Sequence, residues 1–337
     1  MVPRRFNKIK QDPFEYYGIE RSFKIKKLPC LDLIPWFGHF GLWVETFSFQ
    51  ISLFLYLLFK KADIVYTRDK SCLLPALFKK NVFFEAHTFP RNYYLYAYWV
   101  NKTKGIITIT KGLQELFLAK GVKPEKVLAV PDGVDLEKFA LNKDQAQCRE
   151  KLGLPFNKKI VLYTGHLYKW KGVDCLAEAT KHLGEDVAVY FVGGTSEDAE
   201  KFKVQSSKFK VSVIGHRPHS KIPYWLGAAD VLVLPNSGKE EISRTWTSPL
   251  KMFEYMASSR PIVASNLPSL REVLNENNAV LVKPDDAFAL AQGIKTILEN
   301  ALFAKQIAQA AFQDVQQYTW QARAQRIVQF FNASLPR

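Results

Sequence analysis

Short apolar runs alternate with stretches of helical apolar spacing along nearly the whole chain. The runs fall at 64–67, 82–85, 105–108 and 127–130, then at 160–164, 188–193, 211–215, 231–235, 262–265 and 279–282. Between them, 113–119, 173–182 and 287–298 repeat their apolar residues with the period of one helix face. Such alternation, with strands apolar on both sides, predicts an α/β fold of parallel sheets covered by helices on both faces. Leu141-Asn142-Lys143-Asp144 is polar, 149–152 reads as a short helix, and Gly153-Leu154-Pro155-Phe156-Asn157 is a turn before a new first strand. A domain boundary is therefore expected within 140–158, with two doubly wound domains at 1–150 and 151–317. In such sheets ligands bind outside the carboxyl ends of the strands. After Tyr318-Thr319-Trp320, an amphipathic helix is predicted to about 331, with Ile327, Phe330 and Phe331 on or near one face.

The most apolar segment, 36–59, approaches the ~20 residues that span a bilayer. His39, Glu45 and Gln50 interrupt it, and it contains Gly38 and Gly41. Ala62-Asp63-Ile64-Val65-Tyr66 then reads as the strand a buried helix would feed, so a core or membrane-surface helix is expected rather than a span. The formal charge of +15 implies attraction to something anionic. Basic clusters lie mostly in the first hundred residues: Arg4-Arg5 with Lys8 and Lys10, Lys24 with Lys26-Lys27, Lys60-Lys61 and Lys79-Lys80. They flank the apolar segment without a nucleic-acid module, so the expected partner is an anionic membrane surface and not nucleic acid. A generally basic surface without function is the plain alternative. Cys30, Cys72, Cys148 and Cys175 are scattered, with no metal-ligand spacing, and no secretory signal is evident. Free thiols, no metal site and a cytoplasmic location, peripheral on the membrane face, are the expectation.

Candidate chemistry gathers at strand ends. Ser248-Pro249-Leu250-Lys251-Met252-Phe253-Glu254 reads as a helix start, with Ser248 as N-cap and Pro249 as first helical residue. Lys251 and Glu254 share one face, a turn in. Free amides and Lys251 would hold phosphate charge, while Glu254 would accept hydroxyls; an ordinary surface ion pair fits the same spacing. In Gly165-His166-Leu167-Tyr168-Lys169-Trp170-Lys171-Gly172, a glycine after the strand lets backbone approach a ligand, and Lys169 and Lys171 supply cations. The plain alternative is an exposed lysine-rich loop. Glu85-Ala86-His87 places an imidazole at the end of a buried strand, where most lone histidines are structural. In Pro131-Asp132-Gly133-Val134-Asp135-Leu136-Glu137-Lys138-Phe139, a turn leads to a short helix that Asp135 can cap.

These motifs, in this order, resemble the family 4 (group 1) retaining glycosyltransferases of the GT-B fold, over roughly residues 60–330. The resemblance implies two Rossmann-like domains facing a cleft, with the last helix crossing back to the first domain. It implies transfer of a sugar from a nucleoside diphosphate sugar to a glycan or lipid-linked acceptor with retention, without metal or cofactor, in polysaccharide biosynthesis. Carried over, Lys171 matches the diphosphate lysine and Glu254 the ribose-binding glutamate. His166 stands where an arginine is common, and Gly165 lies beside it in the phosphate loop. Ser248, Pro249, Leu250 and Lys251 replace a glycine-rich turn at the donor sugar, and His87 matches a cleft histidine near the transferred sugar. His87, Lys171 and Glu254 are thus the expected catalytic residues.

Two departures qualify the match. Many relatives carry a second glutamate eight positions before the ribose-binding one; here that place is Trp246, with Glu240, Glu241 or Lys251 as substitutes. The family also begins with a strand, a glycine-rich loop and a helix, whereas Met1-Val2-Pro3-Arg4-Arg5 looks like the end of its second strand. The expectation is that residues 1–337 are incomplete at the start or begin at a wrongly chosen one. The rival readings are a non-catalytic nucleotide-sugar-binding protein or inactive fragment, and a GT-B sugar-nucleotide 2-epimerase.

Overall fold

A computed structural model describes residues 1–5, 12–17, 19–139 and 144–335. Lys8, Lys10, the linker residues Leu141, Asn142 and Lys143, and the Cys72 side chain lie outside the described residues. Contacts divide the chain into two compact units: Met1–Ala86 with Pro90–Ile106, and His87–Phe89 with the chain from Ile107 onward.

In the first unit, β1 (Val2–Pro3) pairs in parallel with β2 (Lys27–Leu28). Strand β3 (Val65–Thr67) pairs in parallel with β4 (Val82–Ala86), with Val65 opposite Val82. Every residue of β4 is buried. The apolar segment forms one helix, Ile34–Phe59, kinked where Gly38 leaves helical geometry at φ +48°. Its buried positions are Gly41, Glu45, Leu53 and Leu57, which lie along one face. Leu53 and Leu57 pack with Leu28, and Arg5 binds Glu45 through both guanidinium arms at 3.0 and 3.1 Å. The opposite face carries Trp36, Phe40, Trp43 and Phe47 in the open, Trp43 at 76% exposure. A core helix is therefore corrected: one face packs, with Phe49, Phe54 and Tyr56 half-buried at its edges, and the aromatic face is open. By length and composition alone the helix is apolar enough to cross a membrane.

The boundary between the units falls within β5 (Gly105–Thr108). In the second unit, β6 (Val127–Ala129) is followed by Val130, whose N–H donates to the Thr108 carbonyl. The six remaining strands are β7 (Lys159–Thr164), β8 (Val187–Val192), β9 (Val211–Gly215), β10 (Val231–Leu234), β11 (Ile262–Ser265) and β12 (Val280–Val282). They form one parallel sheet in the order β12-β11-β10-β7-β8-β9. Alternate residues feed opposite cores: Ile160 and Leu162 join Leu232, Phe253 and Tyr255, whereas Val161 and Tyr163 join Val233, Leu176 and Ile294. The strand order reverses between β7 and β10, which makes their carboxyl ends the expected ligand crevice.

The predicted 149–152 helix is longer, Gln145–Leu152, because the Asp144 carboxylate caps it by accepting from the Gln147 N–H at 2.7 Å. This helix is pinned to the amino ends of the strands by one ion pair. Buried Arg149 donates to Asp230 Oδ2 at 2.6 Å and to the Ala228 carbonyl at 3.0 Å, while the same carboxylate oxygen accepts from the Ile160 N–H. The terminal helix, Trp320–Ser334, starts at the Thr319 cap; Arg323 donates to the Pro131 carbonyl at 3.1 Å, and the Val134 N–H donates to the Tyr318 carbonyl. Asp230→Ala leaves the Arg149 cation buried without its carboxylate and is expected to cost about 3–5 kcal/mol of stability, measured by urea unfolding. A loss under about 1 kcal/mol, the scale of a surface pair, would contradict this account.

Candidate functional site

At the carboxyl end of β7 the chain passes through Gly165 at φ +118°, a conformation that glycine adopts without strain. A Cβ there would lie 3.6 Å from the Lys251 ammonium, an ordinary contact, so it is the backbone conformation that calls for glycine. Lys169–Lys171 then make one 3-10 turn ending at Gly172, whose φ is +71°. A Cβ at Gly172 would lie 1.7 Å from the Pro235 carbonyl oxygen, so glycine is required for the β7 loop to pack on the end of β10. The sheet thereby brings the two lysines of the sequence motifs into one charged neighbourhood.

Lys251 is the centre of it. The helix Leu250–Ala257 is strongly one-sided and buries Met252, Phe253, Tyr255 and Met256 together with Lys251. The Lys251 ammonium is fully enclosed and lies 3.6 Å from the Tyr163 ring centroid, yet has no hydrogen-bond acceptor among the described residues. Burial pushes its pKa well below the lysine norm, the nearby Lys171 charge adds to this, and Glu254 opposes it. Burial lowers Lys171 as well, with its ammonium 4.7 Å from the Trp170 ring centroid. The scaffold around them is hydrogen-bonded: the Tyr163 hydroxyl donates to the His166 carbonyl at 2.6 Å, and the Tyr255 hydroxyl accepts from the Thr164 N–H at 2.8 Å. Two neighbouring amines, one of them without a hydrogen-bond acceptor among the described residues, can take up the charge of an anion such as a diphosphate.

The other expected residues fall out differently. Glu254 is nearly enclosed, and its partner is not Lys251: His219 Nε2 lies 3.0 Å from its Oε1, so the plain surface pair is excluded. The N-cap at Ser248 is corrected. The helix begins at Leu250 with Pro249 as its cap residue, because the Ser248 hydroxyl is spent accepting the Asp132 N–H at 3.0 Å. Ser248 thus holds the turn of the 131–139 motif, where Asp135 accepts the Lys138 N–H as expected. His166 is exposed and stacks flat on Tyr168 at 5.0 Å, and Leu250 is exposed. His87 follows β4 and is half-buried; its place beside a sugar rests on the resemblance. Glu240 and Glu241 are exposed, and Trp246 is half-buried with its indole N–H enclosed and without an acceptor among the described residues. Sequence reasoning missed His219 and the buried Asn236 just beyond β10; the signal for the second was a polar residue ending the run Val231–Leu234.

The sequence pattern of the family Glycosyl transferases group 1 matches residues 158–300, which contain Gly165, Lys171, Lys251, Glu254 and His219. Residues 158–300 thus resemble the group 1 glycosyl transferases, and the fold is GT-B. Among related group 1 enzymes, D-inositol 3-phosphate glycosyltransferase 1 of Catenulispora acidiphila is 27% identical over 237 residues, 66% of this chain and 55% of that protein. A putative teichuronic acid biosynthesis glycosyltransferase, TuaC of Bacillus subtilis, is 25% identical over 64% of this chain and 52% of its own length. The chain thus spans about half the length of these curated relatives. Among solved structures, Anabaena HepE in complex with UDP superposes with a TM-score of 0.76 at 18% identity, covering 95% of this chain and 88% of that one. Sucrose-phosphate synthase from Thermosynechococcus elongatus gives 0.73 at 21% identity, over 88% and 80%. At these identities the two structures speak for the fold.

Lys251→Met removes a buried amine without a hydrogen-bond acceptor and keeps the shape, so stability should rise by about 0.5–2 kcal/mol. Because folding lowers this lysine's pKa, the gain should shrink as pH rises toward the unfolded value near 10.5. Urea unfolding at several pH values measures it, and a destabilised variant would show that the amine supports the fold instead.

Proposed function

We propose that the chain is a retaining glycosyltransferase that moves a sugar from a nucleoside diphosphate sugar to a glycan or lipid-linked acceptor without a metal. The observation that carries the reading is the enclosed, unpartnered Lys251 amine beside Lys171, at the carboxyl end of β7 where the strand order reverses. In the transfer, the bond between the anomeric carbon and the diphosphate breaks and negative charge grows on the departing oxygens. Lys171 and Lys251 stabilise that charge more than they stabilise the intact donor, which is what lowers the barrier. Glu254 takes the ribose hydroxyls, and His87 steadies the transferred sugar by a hydrogen bond. The same cations supply the neutralisation a metal would otherwise give. The UDP complex of HepE and the group 1 match over residues 158–300 support a nucleotide donor.

The first unit supports a peripheral place on the cytoplasmic membrane face. The Ile34–Phe59 helix is fastened along one face by Leu53, Leu57 and the Arg5–Glu45 pair, and so lies along its domain. Its aromatic face points outward, with exposed Lys24, Lys26, Lys27, Lys60 and Lys61 in the same unit to meet anionic headgroups.

Incubation with a panel of nucleoside diphosphate sugars and lipid-linked or glycan acceptors tests the activity. Lys171→Ala should lower kcat/KM by about 100-fold or more, Glu254→Ala should act mainly on KM, and the product should keep the donor's anomeric configuration. Nucleotide binding with no turnover of any donor would favour a binding protein; a donor altered at its C2 centre without transfer would favour the epimerase. In a separate test, Trp43→Ser with Phe47→Ser should cut flotation with anionic phospholipid vesicles several-fold while thermal unfolding stays unchanged. Equal flotation would remove the membrane reading.

A further inference from the structure

Strand β9 ends at Gly215, and the chain turns through His216-Arg217-Pro218 into the single turn His219–Lys221, closed by the Lys221 N–H donating to the Pro218 carbonyl at 2.8 Å. This turn sets the His219 ring edge-on to Phe139 at 5.4 Å and its Nε2 3.0 Å from Glu254 Oε1. The pair is asymmetric: the His219 side chain is 66% exposed and Glu254 only 15%. Glu254 Oε2 has no hydrogen-bond donor among the described residues. One carboxylate oxygen is therefore held, and the other is left for a ligand.

We propose that His219 is a positioning residue for the donor, holding Glu254 by one oxygen, neutralising it beside the diphosphate and making donor affinity depend on pH. The proposal rests on the donor reading above and adds the regulation of that same site. An ionised Glu254 next to two bound phosphates repels them, and a charged imidazole on its far oxygen cancels that repulsion. A neutral imidazole keeps the contact but not the charge. Affinity for the donor thus falls as pH rises. The groups facing His219 are Glu254 on the helix Leu250–Ala257, and Asp135 and Lys138 on the 131–139 segment; Arg217 and Lys221 of its own turn are exposed. Asp135 and Lys138 pair with each other at 3.0 Å and act on the ring in opposite directions, which leaves Glu254 in control. Its hydrogen bond, followed by its charge, raises the imidazole above 6.5 against the effect of burial. The sign follows: the ion pair is complete below 6.5 and is lost as pH rises through the folded value.

The test is calorimetric binding of UDP-glucose, GDP-mannose and ADP-glucose, whose diphosphate diesters hold constant charge between about pH 5.5 and 8.5. Wild-type affinity for whichever of them binds should fall about tenfold across that window. His219→Gln, which donates a hydrogen bond but carries no charge, should lose most of that slope and keep only the part that the lowered Lys251 and Lys171 amines contribute. By linkage, the donor should raise the His219 titration, followed by NMR in the wild type, by about one pH unit for a tenfold effect; this arm needs no variant. A wild-type slope retained in His219→Gln, a slope of opposite sign, or an imidazole titration unmoved by the donor would each overturn the proposal. Failure of all three donors to bind at any pH would instead overturn the donor reading, whereas binding that is lost in Lys171→Ala but flat with pH would overturn the role of His219 alone.

Discussion

An amine enclosed without an acceptor is the constraint on which the second unit turns. Burying a polar group without a hydrogen-bond acceptor costs a folded chain free energy, and Lys251 has the face of Tyr163 and the more distant charge of Glu254 instead. The helix that carries it compensates with the side chains it buries after Lys251, namely Met252, Phe253, Tyr255 and Met256. Tyr163 and Tyr255 are locked by hydrogen bonds to the backbone of the β7 loop, so the amine cannot escape by rearranging its neighbours. On the proposed function, a site held in this way is preorganised for the donor's diphosphate.

The same economy of partners runs through the 131–139 segment. Ser248, which could have capped its own helix, accepts the Asp132 amide instead. Arg323 of the last helix reaches the Pro131 carbonyl, and Thr110, which caps the helix Lys111–Ala119, donates to the Thr245 carbonyl two residues before the turn into Leu250. Glu272 accepts the amides of Lys111 and Gly112 at 2.7 and 3.1 Å, completing that cap. Each contact satisfies backbone at a helix end or turn, and together they tie residues 107–139 and the last helix to the six-stranded sheet. Phe139, at the end of the segment, is then where His219 finds its aromatic wall.

The strands and several of the helices were legible in the sequence because their signal is local, whereas Tyr93–Lys102, Ser196–Gln205 and Ala301–Val315 were not named. The runs at 105–108, 211–215 and 262–265 coincide with β5, β9 and β11, and the others differ by a residue or so at their ends. The lysine loop and the helix from Leu250 were legible through their order along the chain, which placed Lys171, Lys251 and Glu254 at one edge of one sheet. The segment at 36–59 shows where that reading stops: composition made it apolar, but only packing against Leu28 and Arg5 decided which face is buried.

By itself, then, the sequence determined the periodicities, the strand-end chemistry and the resemblance carried by residues 158–300. It left Lys251 and Glu254 as a pair at helical spacing, indistinguishable from a surface salt bridge. The tertiary structure dissolved that pair, enclosing the amine and giving the carboxylate to a histidine 35 positions earlier in the chain. The reason is physical: periodicity is a property of neighbours along the chain, whereas desolvation and partner choice are set by residues that only folding brings together.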